Sequence, residues 1–427
     1  MPPHLLYADK DGNIFDHPEL RLMGSAAGRF APVDEVDCIP LPEGSELFLL
    51  PGRQPIGQDR GGKLVTLSED PIEGGPVSAV AAFMAPAHTA LYNAAYHTSP
   101  GAPNLPLFAY TAVGLYRDRF VVAGLRVDAS SRQDSESFPS VNRIQTNARK
   151  LLKRFADNRL WQHLGACALT SCCPAARNLM LGRWEAPLPT SPQCNANCLG
   201  CISYQPDGLF PITQPRLTFT PNPEEVAEVA CHHFANARSP MVSFGQGCEG
   251  EPLLQPQVLE SSIRLMRGRF SRETINMNSN GSRPEVVQAL MDAGLSSIRV
   301  SINSLLPERH AAYYQPAGWG LEQALASLRV VKNKGGFTSI NLLCMPGVND
   351  QPYEVEALIN IIERGWVDFI QWRNINIDPE IYLRKLDIRP PASHMGMDNL
   401  IRMLKTRFPK LGHGYYNPNL QAHSAAP

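Results

Sequence analysis

The chain has 427 residues, is 43% hydrophobic and carries a formal net charge of −1, so it is long enough for two domains and a sizeable core and has no overall field to draw nucleic acid or an anionic membrane. No uninterrupted apolar run approaches the roughly 18 residues of a membrane span, and Met1-Pro2-Pro3-His4 is not the charged start of a signal peptide. Ten cysteines are too few for a disulfide scaffold at this length, and free thiols suit a reducing cytoplasm.

Residues 1–180 read as a smaller, mostly-β N-terminal domain with a helical end. Leu5-Leu6-Tyr7 and Asn13-Ile14-Phe15 flank Asp9-Lys10-Asp11-Gly12, a hairpin turn. Asp9, Asp11 and Asn13 resemble half a calcium loop, but Ile14 stands where glycine is needed and Leu20 where the bidentate glutamate belongs. Strands are expected at 46–50, 63–67, 107–115 and 119–127, separated by Pro- and Gly-rich connections and followed by a polar loop at 133–137. One helix is expected over 142–164, with Ile144, Ala148, Leu151, Leu152 and Phe155 as its apolar stripe. Cys167, Cys172 and Cys173 come next; they could ligate metal, but buried structural thiols are the commoner fate of such residues.

Residues 181–390 form the second predicted domain, and it opens on Cys194-Asn195-Ala196-Asn197-Cys198-Leu199-Gly200-Cys201. A closed zinc site takes four ligands. A four-iron cluster normally takes four thiolates. Three local sulfurs therefore either share zinc with a distant fourth ligand or hold three irons and leave the fourth open. Gly200 allows the loop to curl so that the thiols converge.

Strand and helix patterns then alternate. A first strand is expected at 178–183 or 184–188. Asn222-Pro223-Glu224-Glu225 starts a helix, with His233 on its apolar stripe as a core residue. Strands follow at 241–244, 274–279, 297–303, 338–345 and 368–375, with helices near 257–267, 284–293, 321–334 and 353–364. Ser282-Arg283-Pro284-Glu285 reads as a capping box and Gly294 as a helix stop. About six such units imply a parallel sheet with helices outside, an α/β partial (β/α)6 TIM-like barrel.

Buried parallel strands usually read as continuous apolar runs. Here Arg299, Ser301 and Asn303 alternate with Ile298, Val300 and Ile302, as Asn276, Asn278 and Asn280 do with Ile275, Met277 and Ser279. The polar members would line a lumen, where a bound polar ligand would satisfy them. Arg373, at the C-terminal end of the last strand, is a candidate for a substrate carboxylate or phosphate, with pairing to Asp368 or Asp378 the structural alternative. Tyr313, Tyr314 and Trp319 either close the lumen or pack in the core.

The spacing of Cys194, Cys198 and Cys201 resembles the signature of the radical S-adenosylmethionine (radical SAM) enzymes, and the core is distantly similar to pyruvate formate-lyase activating enzymes. The resemblance implies a [4Fe-4S] cluster on the three cysteines, with S-adenosylmethionine (SAM) chelating the open iron. The family usually has an aromatic residue before the third cysteine; here it is Gly200. Gly250-Glu251-Pro252 resembles the turn that contacts the amino end of SAM, with Glu249 as a second candidate. Asn278, Asn280, Arg299, Ser301 and Asn303 match strand-end positions that touch SAM, and Met345-Pro346-Gly347-Val348 the loop near adenine. The implied activity is reductive cleavage of SAM and hydrogen-atom abstraction from an unidentified substrate, with glycyl-radical activation as one form. A reductant such as flavodoxin or ferredoxin is the implied partner, in an anaerobic setting. The rivals are another radical SAM chemistry, methylation or rearrangement, and a zinc-stabilised binding protein.

Residues 391–427 are a helical tail. Asp398 is expected to cap a helix at 398–408, after which the chain ends in a Pro- and Ala-containing stretch.

Overall fold

The computed structural model describes residues 2–132 and 134–423. Met1, Gln133 of the predicted polar loop and residues 424–427 of the Pro- and Ala-containing end lie outside the described residues. The chain divides into two compact units: Met1–Ser130 with Leu343–Ile359 and Trp372–Tyr415, and Ser131–Leu342 with Asn360–Gln371 and Tyr416–Pro427.

The first unit is built on a thirteen-stranded sheet whose pairings are antiparallel. Asp9 makes its first turn. One carboxylate oxygen accepts from the Asp11 and Asn13 N–H groups at 2.9 and 2.8 Å, and the other takes the Asn13 amide. The half calcium loop is thus an Asx turn. The strand expected over 107–115 begins only at Thr111 and runs to Tyr116. Pro106 has no N–H for a ladder. Instead Phe108 packs on Phe48 at 4.7 Å between centroids, and the Tyr110 hydroxyl donates to the Pro106 carbonyl. Leu6, Val80, Met84, Val113 and Val122 lie at the centre of this sheet's core.

The second unit opens with three helices. The single helix expected over 142–164 is two, Val141–Arg154 and Arg159–Leu169. Asn158 breaks it: its side chain accepts from the Trp161 N–H as an N-cap and its amide donates to the Glu225 carbonyl. Phe155 stacks on Trp161 at 4.8 Å across the break. Asparagine competes well for such caps and poorly for helix interiors.

Six strands then follow: β1 (Arg183–Pro187), β2 (Arg238–Phe244), β3 (Thr274–Ser279), β4 (Ser297–Ile302), β5 (Phe337–Cys344) and β6 (Phe369–Asn374). They lie side by side in chain order, and a short strand at Gly412–Gly414, not foreseen, adds to the β6 edge. Each neighbouring pair from β1 to β5 is parallel. The connecting helices are α1 (Pro223–Asn236), α2 (Pro256–Arg267), α3 (Pro284–Ala293), α4 (Leu321–Asn333) and α5 (Pro352–Glu363). This is an α/β half-barrel, as the alternating pattern predicts.

Local signals explain the helix ends. Asn222 and Glu225 form a reciprocal capping box at 2.8 and 2.9 Å, and Arg159 holds Glu225 below the usual carboxylate range. His233 is a core residue whose ring bonds the Trp184 carbonyl at 2.7 Å. Gly294 ends α3 at φ +113°, as expected. The capping box expected at Ser282 does not form; the α3 N-cap is Arg283, and the Ser282 hydroxyl is engaged elsewhere. The tail helix spans Met397–Arg407 with Gly396 as its cap, so Asp398 lies inside the first turn.

Candidate functional site

The cysteine loop has no regular structure of its own and is held from two sides. At its base, the Gly250 and Glu251 N–H groups donate to the Ser191 and Gln193 carbonyls at 2.7 and 2.8 Å. Along its length, the Asn197 and Leu199 N–H groups donate to the Tyr314 and Tyr313 carbonyls at 3.0 Å each. The Trp319 indole donates to the Asn195 carbonyl at 2.8 Å. So Tyr313, Tyr314 and Trp319 brace the loop. A turn between Cys198 and Cys201 is closed by a 3.1 Å backbone bond.

The thiols sit in a demanding environment. Burial, then the neighbouring Glu251, pushes Cys194 up to about 11. Desolvation, then Cys194 and Cys201, pushes Cys198 well above the ordinary thiol value. Arg216 offers a guanidinium N–H to the Cys201 sulfur at 3.3 Å. Burial thus opposes ionisation of Cys194 and Cys198, and a positively charged partner such as a metal ion would favour their thiolate forms.

Beside this loop runs the turn from Gly245 to Pro252. Gly245 has φ +75°, and a β-carbon there would lie 1.6 Å from the Asn278 carbonyl oxygen. The two carboxylates of the turn differ. Glu249 accepts from the N–H groups of Gly245, Gln246, Thr190 and Ser191 at 2.7–3.0 Å and from the Thr190 hydroxyl. Burial pushes it up to about 7 against those donors. A carboxylate has about four lone-pair sites, so Glu249 is saturated and acts as a clamp. Glu251 accepts from Leu253 N–H, the Ser279 hydroxyl and Asn280 N–H at 3.0, 2.7 and 2.9 Å. Burial brings it too to about 7. We expect Glu249→Gln to strand two buried N–H groups and lower unfolding free energy by roughly 2–5 kcal/mol, measurable by chemical denaturation; an unchanged midpoint would remove the clamp.

The strand ends complete the arrangement. Asn280 joins its amide to Asn195 at 2.9 Å, and Asn195 in turn donates to Ser282. Asn278 accepts from Asn276 and Asn417 at 2.9 and 3.1 Å. Arg299 lies opposite Asn278 in register and donates to Gln371 at 3.3 Å. Ser301 accepts from Asn341 at 3.2 Å. Asn303 is fully buried and donates to the Arg309 carbonyl. Arg373, in the end of β6 that falls within the first unit, donates to the Tyr415 carbonyl and stacks on that ring at 3.9 Å. Asp368 pairs with Lys332 and Asp378 with Arg53, so neither takes Arg373.

Pattern reading does not reveal the part that several residues play in this assembly. Asn195, Ser282, Trp319 and Arg216 support the cysteine loop. Asn417, from the tail, reaches Glu185 at 2.6 Å, Asn278 at 3.1 Å and Gln371 at 2.7 Å and so fills polar valences in the lumen. Asn195 carries a positional signal, inside the cysteine motif; Ser282 and Trp319 carry signals for other roles.

Residues 188–359 match the Radical SAM superfamily. They are a radical SAM domain. The cysteine triad, the glycine turn and the polar residues of β3 and β4 fall inside the matched span, whereas Arg373 and Asn417 lie beyond it. The chain is 26% identical over 202 residues to the FeMo cofactor biosynthesis protein NifB of Chlorobaculum tepidum, covering 42% of this chain and 45% of that protein. It is 30% identical over 161 residues to the GTP 3',8-cyclase of Pseudomonas putida, covering 37% and 44%. The chain thus spans less than half the length of these relatives. The solved FeFe-hydrogenase maturase HydG from Carboxydothermus hydrogenoformans aligns with 64% of this chain and 71% of its own at a TM-score of 0.38 and 12% identity. Radical SAM domains use a [4Fe-4S] cluster and SAM. The donor set of this radical SAM domain fits them: three thiols on one braced loop would leave one iron of such a cluster open, and two glycines let backbone approach closely beside the loop.

Among the described residues no helix is long and apolar enough to cross a membrane.

Proposed function

We propose that the chain is a radical SAM enzyme in which Cys194, Cys198 and Cys201 hold the cluster and SAM completes the open iron. When bound, the cluster would supply the electron for reductive cleavage of SAM, and the pair would provide the means of hydrogen-atom abstraction from the substrate. The residues of the chain place and shield that chemistry. The Gly250 carbonyl and the remaining valence of Glu251 would receive the ammonium group of SAM. Asn278, Asn280, Arg299, Ser301 and Asn303 would meet its ribose and carboxylate.

One observation carries this reading. Glu251 bonds both to its own turn and to the end of β3, while its N–H bonds to the base of the cysteine loop. The metal loop and the proposed SAM turn are therefore one hydrogen-bonded piece. The name of one relative, a GTP cyclase, supports a small-molecule substrate over a protein glycine. Glycyl-radical activation remains the protein-backbone form of the same step. A flavodoxin or ferredoxin would deliver the electron in a reducing cytoplasm.

Anaerobic purification and incubation with SAM and dithionite test this. The expected result is a brown protein with about four irons per chain that releases 5′-deoxyadenosine and methionine. A protein with less than about one iron, or one with a full cluster that leaves SAM intact, would overturn it. Labelled cell extract then shows which molecule gives hydrogen to deoxyadenosine.

A further inference from the structure

A second group of metal-type ligands lies outside the cysteine triad. Helix Arg159–Leu169 carries His163 and Cys167 four residues apart, which puts them on one face. Cys248 reaches that face from the turn after β2. The His163 Nε2, Cys167 Sγ and Cys248 Sγ atoms all lie within 4.8 Å of one another, and the first two are 3.5 Å apart. Cys167 and Cys248 are buried and His163 is half-buried.

Distances favour one ion over a second cluster. With ordinary zinc–sulfur and zinc–nitrogen bonds, a tetrahedron has a sulfur–nitrogen edge of about 3.6 Å and a sulfur–sulfur edge of about 3.8 Å. The His163–Cys167 separation of 3.5 Å is already that edge. A cubane cluster places its thiolates on separate irons and spreads them wider. Two thiolates and an imidazole are also the donors zinc takes most readily.

We infer that His163, Cys167 and Cys248 form a mononuclear zinc site that fastens helix Arg159–Leu169 to the Gly245–Pro252 turn. The fourth ligand is water or Cys173, which is half-buried and whose N–H donates to the Cys167 carbonyl at 3.0 Å. Cys248 immediately precedes Glu249, so the ion would stiffen the clamp from its outer side. The inference does not depend on the proposed function, because the ligands are separate from the triad.

Metal analysis of the full chain tests it. The wild-type protein should hold about one zinc beside its iron. Cys167→Ser and Cys248→Ser should each lower zinc occupancy at least about tenfold while iron stays. The triple variant Cys194→Ala, Cys198→Ala, Cys201→Ala should lose iron and keep zinc. In that colourless variant, once the zinc has been removed by a chelator, added Co2+ should give cobalt–thiolate absorption bands, so the site can be read even if a serine variant fails to fold. Cys173→Ser separates the fourth ligands: zinc weakened means Cys173, zinc unchanged means water. The inference falls if wild-type protein neither contains zinc nor gives cobalt bands, if zinc survives both serine substitutions, or if Cys167 and Cys248 are found joined as a disulfide.

Discussion

Cys198→Ala is expected to lower iron from about four per chain to below about one and to abolish release of 5′-deoxyadenosine. Cys198 is the middle sulfur of the triad, and no neighbouring group can replace it: Asn197 and Leu199 are tied by their N–H groups to the Tyr314 and Tyr313 carbonyls. A loop braced in this way cannot swing another ligand into place. The substitution itself costs little. Cys198 is only partly buried as a residue, and its thiol is desolvated in the metal-free fold, so alanine should change metal-free stability by less than about 1 kcal/mol. Iron assay, the visible spectrum and thermal unfolding of metal-free protein together separate lost chemistry from lost fold. Retention of a full cluster would mean that the triad is not the ligand set.

Gly250→Ala should be nearly as damaging for a different reason. A β-carbon at this position would stand 1.9 Å from the Gln193 carbonyl oxygen, 2.4 Å from its carbon and 3.1 Å from the Cys194 nitrogen. All three are backbone atoms, so no side chain can rotate away. The base of the cysteine loop must move by about 1 Å. Such overpacking costs about 1–3 kcal/mol, and a misplacement of that size at a reacting centre costs about a hundredfold in rate. The expected variant is folded, partly depleted of iron, and about a hundredfold slower in SAM cleavage. Full iron and a wild-type rate would show that the turn and the loop are not mechanically joined. The sequence resemblance gives Gly250 a contact with SAM, and its closeness to Gln193 gives it a structural duty as well.

The contrast between these residues shows what local pattern can carry. Cys194, Cys198 and Cys201 are legible because the proposed ligands to one cluster lie close together in the sequence. Ile298, Val300 and Ile302 are legible because a strand alternates its faces with period two. Asn222-Pro223-Glu224-Glu225 is legible because a cap is satisfied by residues three apart. In each case the partner is a sequence neighbour.

Ser282 shows the limit. Its sequence context is a capping box, yet its hydroxyl serves Asn195, 87 residues away. Asn158 reads as one residue of a long helix, and it breaks that helix because Trp161 and Glu225 together satisfy its side chain. Asn417 in the tail has no pattern at all, and only the folded chain brings it to Glu185, Asn278 and Gln371. Cys248 likewise looks like a spacer in a glycine turn until helix Arg159–Leu169 places His163 and Cys167 beside it. Sequence alone determined the half-barrel's alternation and the metal loop, since periodicity and short-range ligand spacing are properties of contiguous residues. Tertiary structure decided which polar groups satisfy one another, because a hydrogen bond or a shared ion is chosen by distance in space, and that distance exists only after the chain has closed on itself.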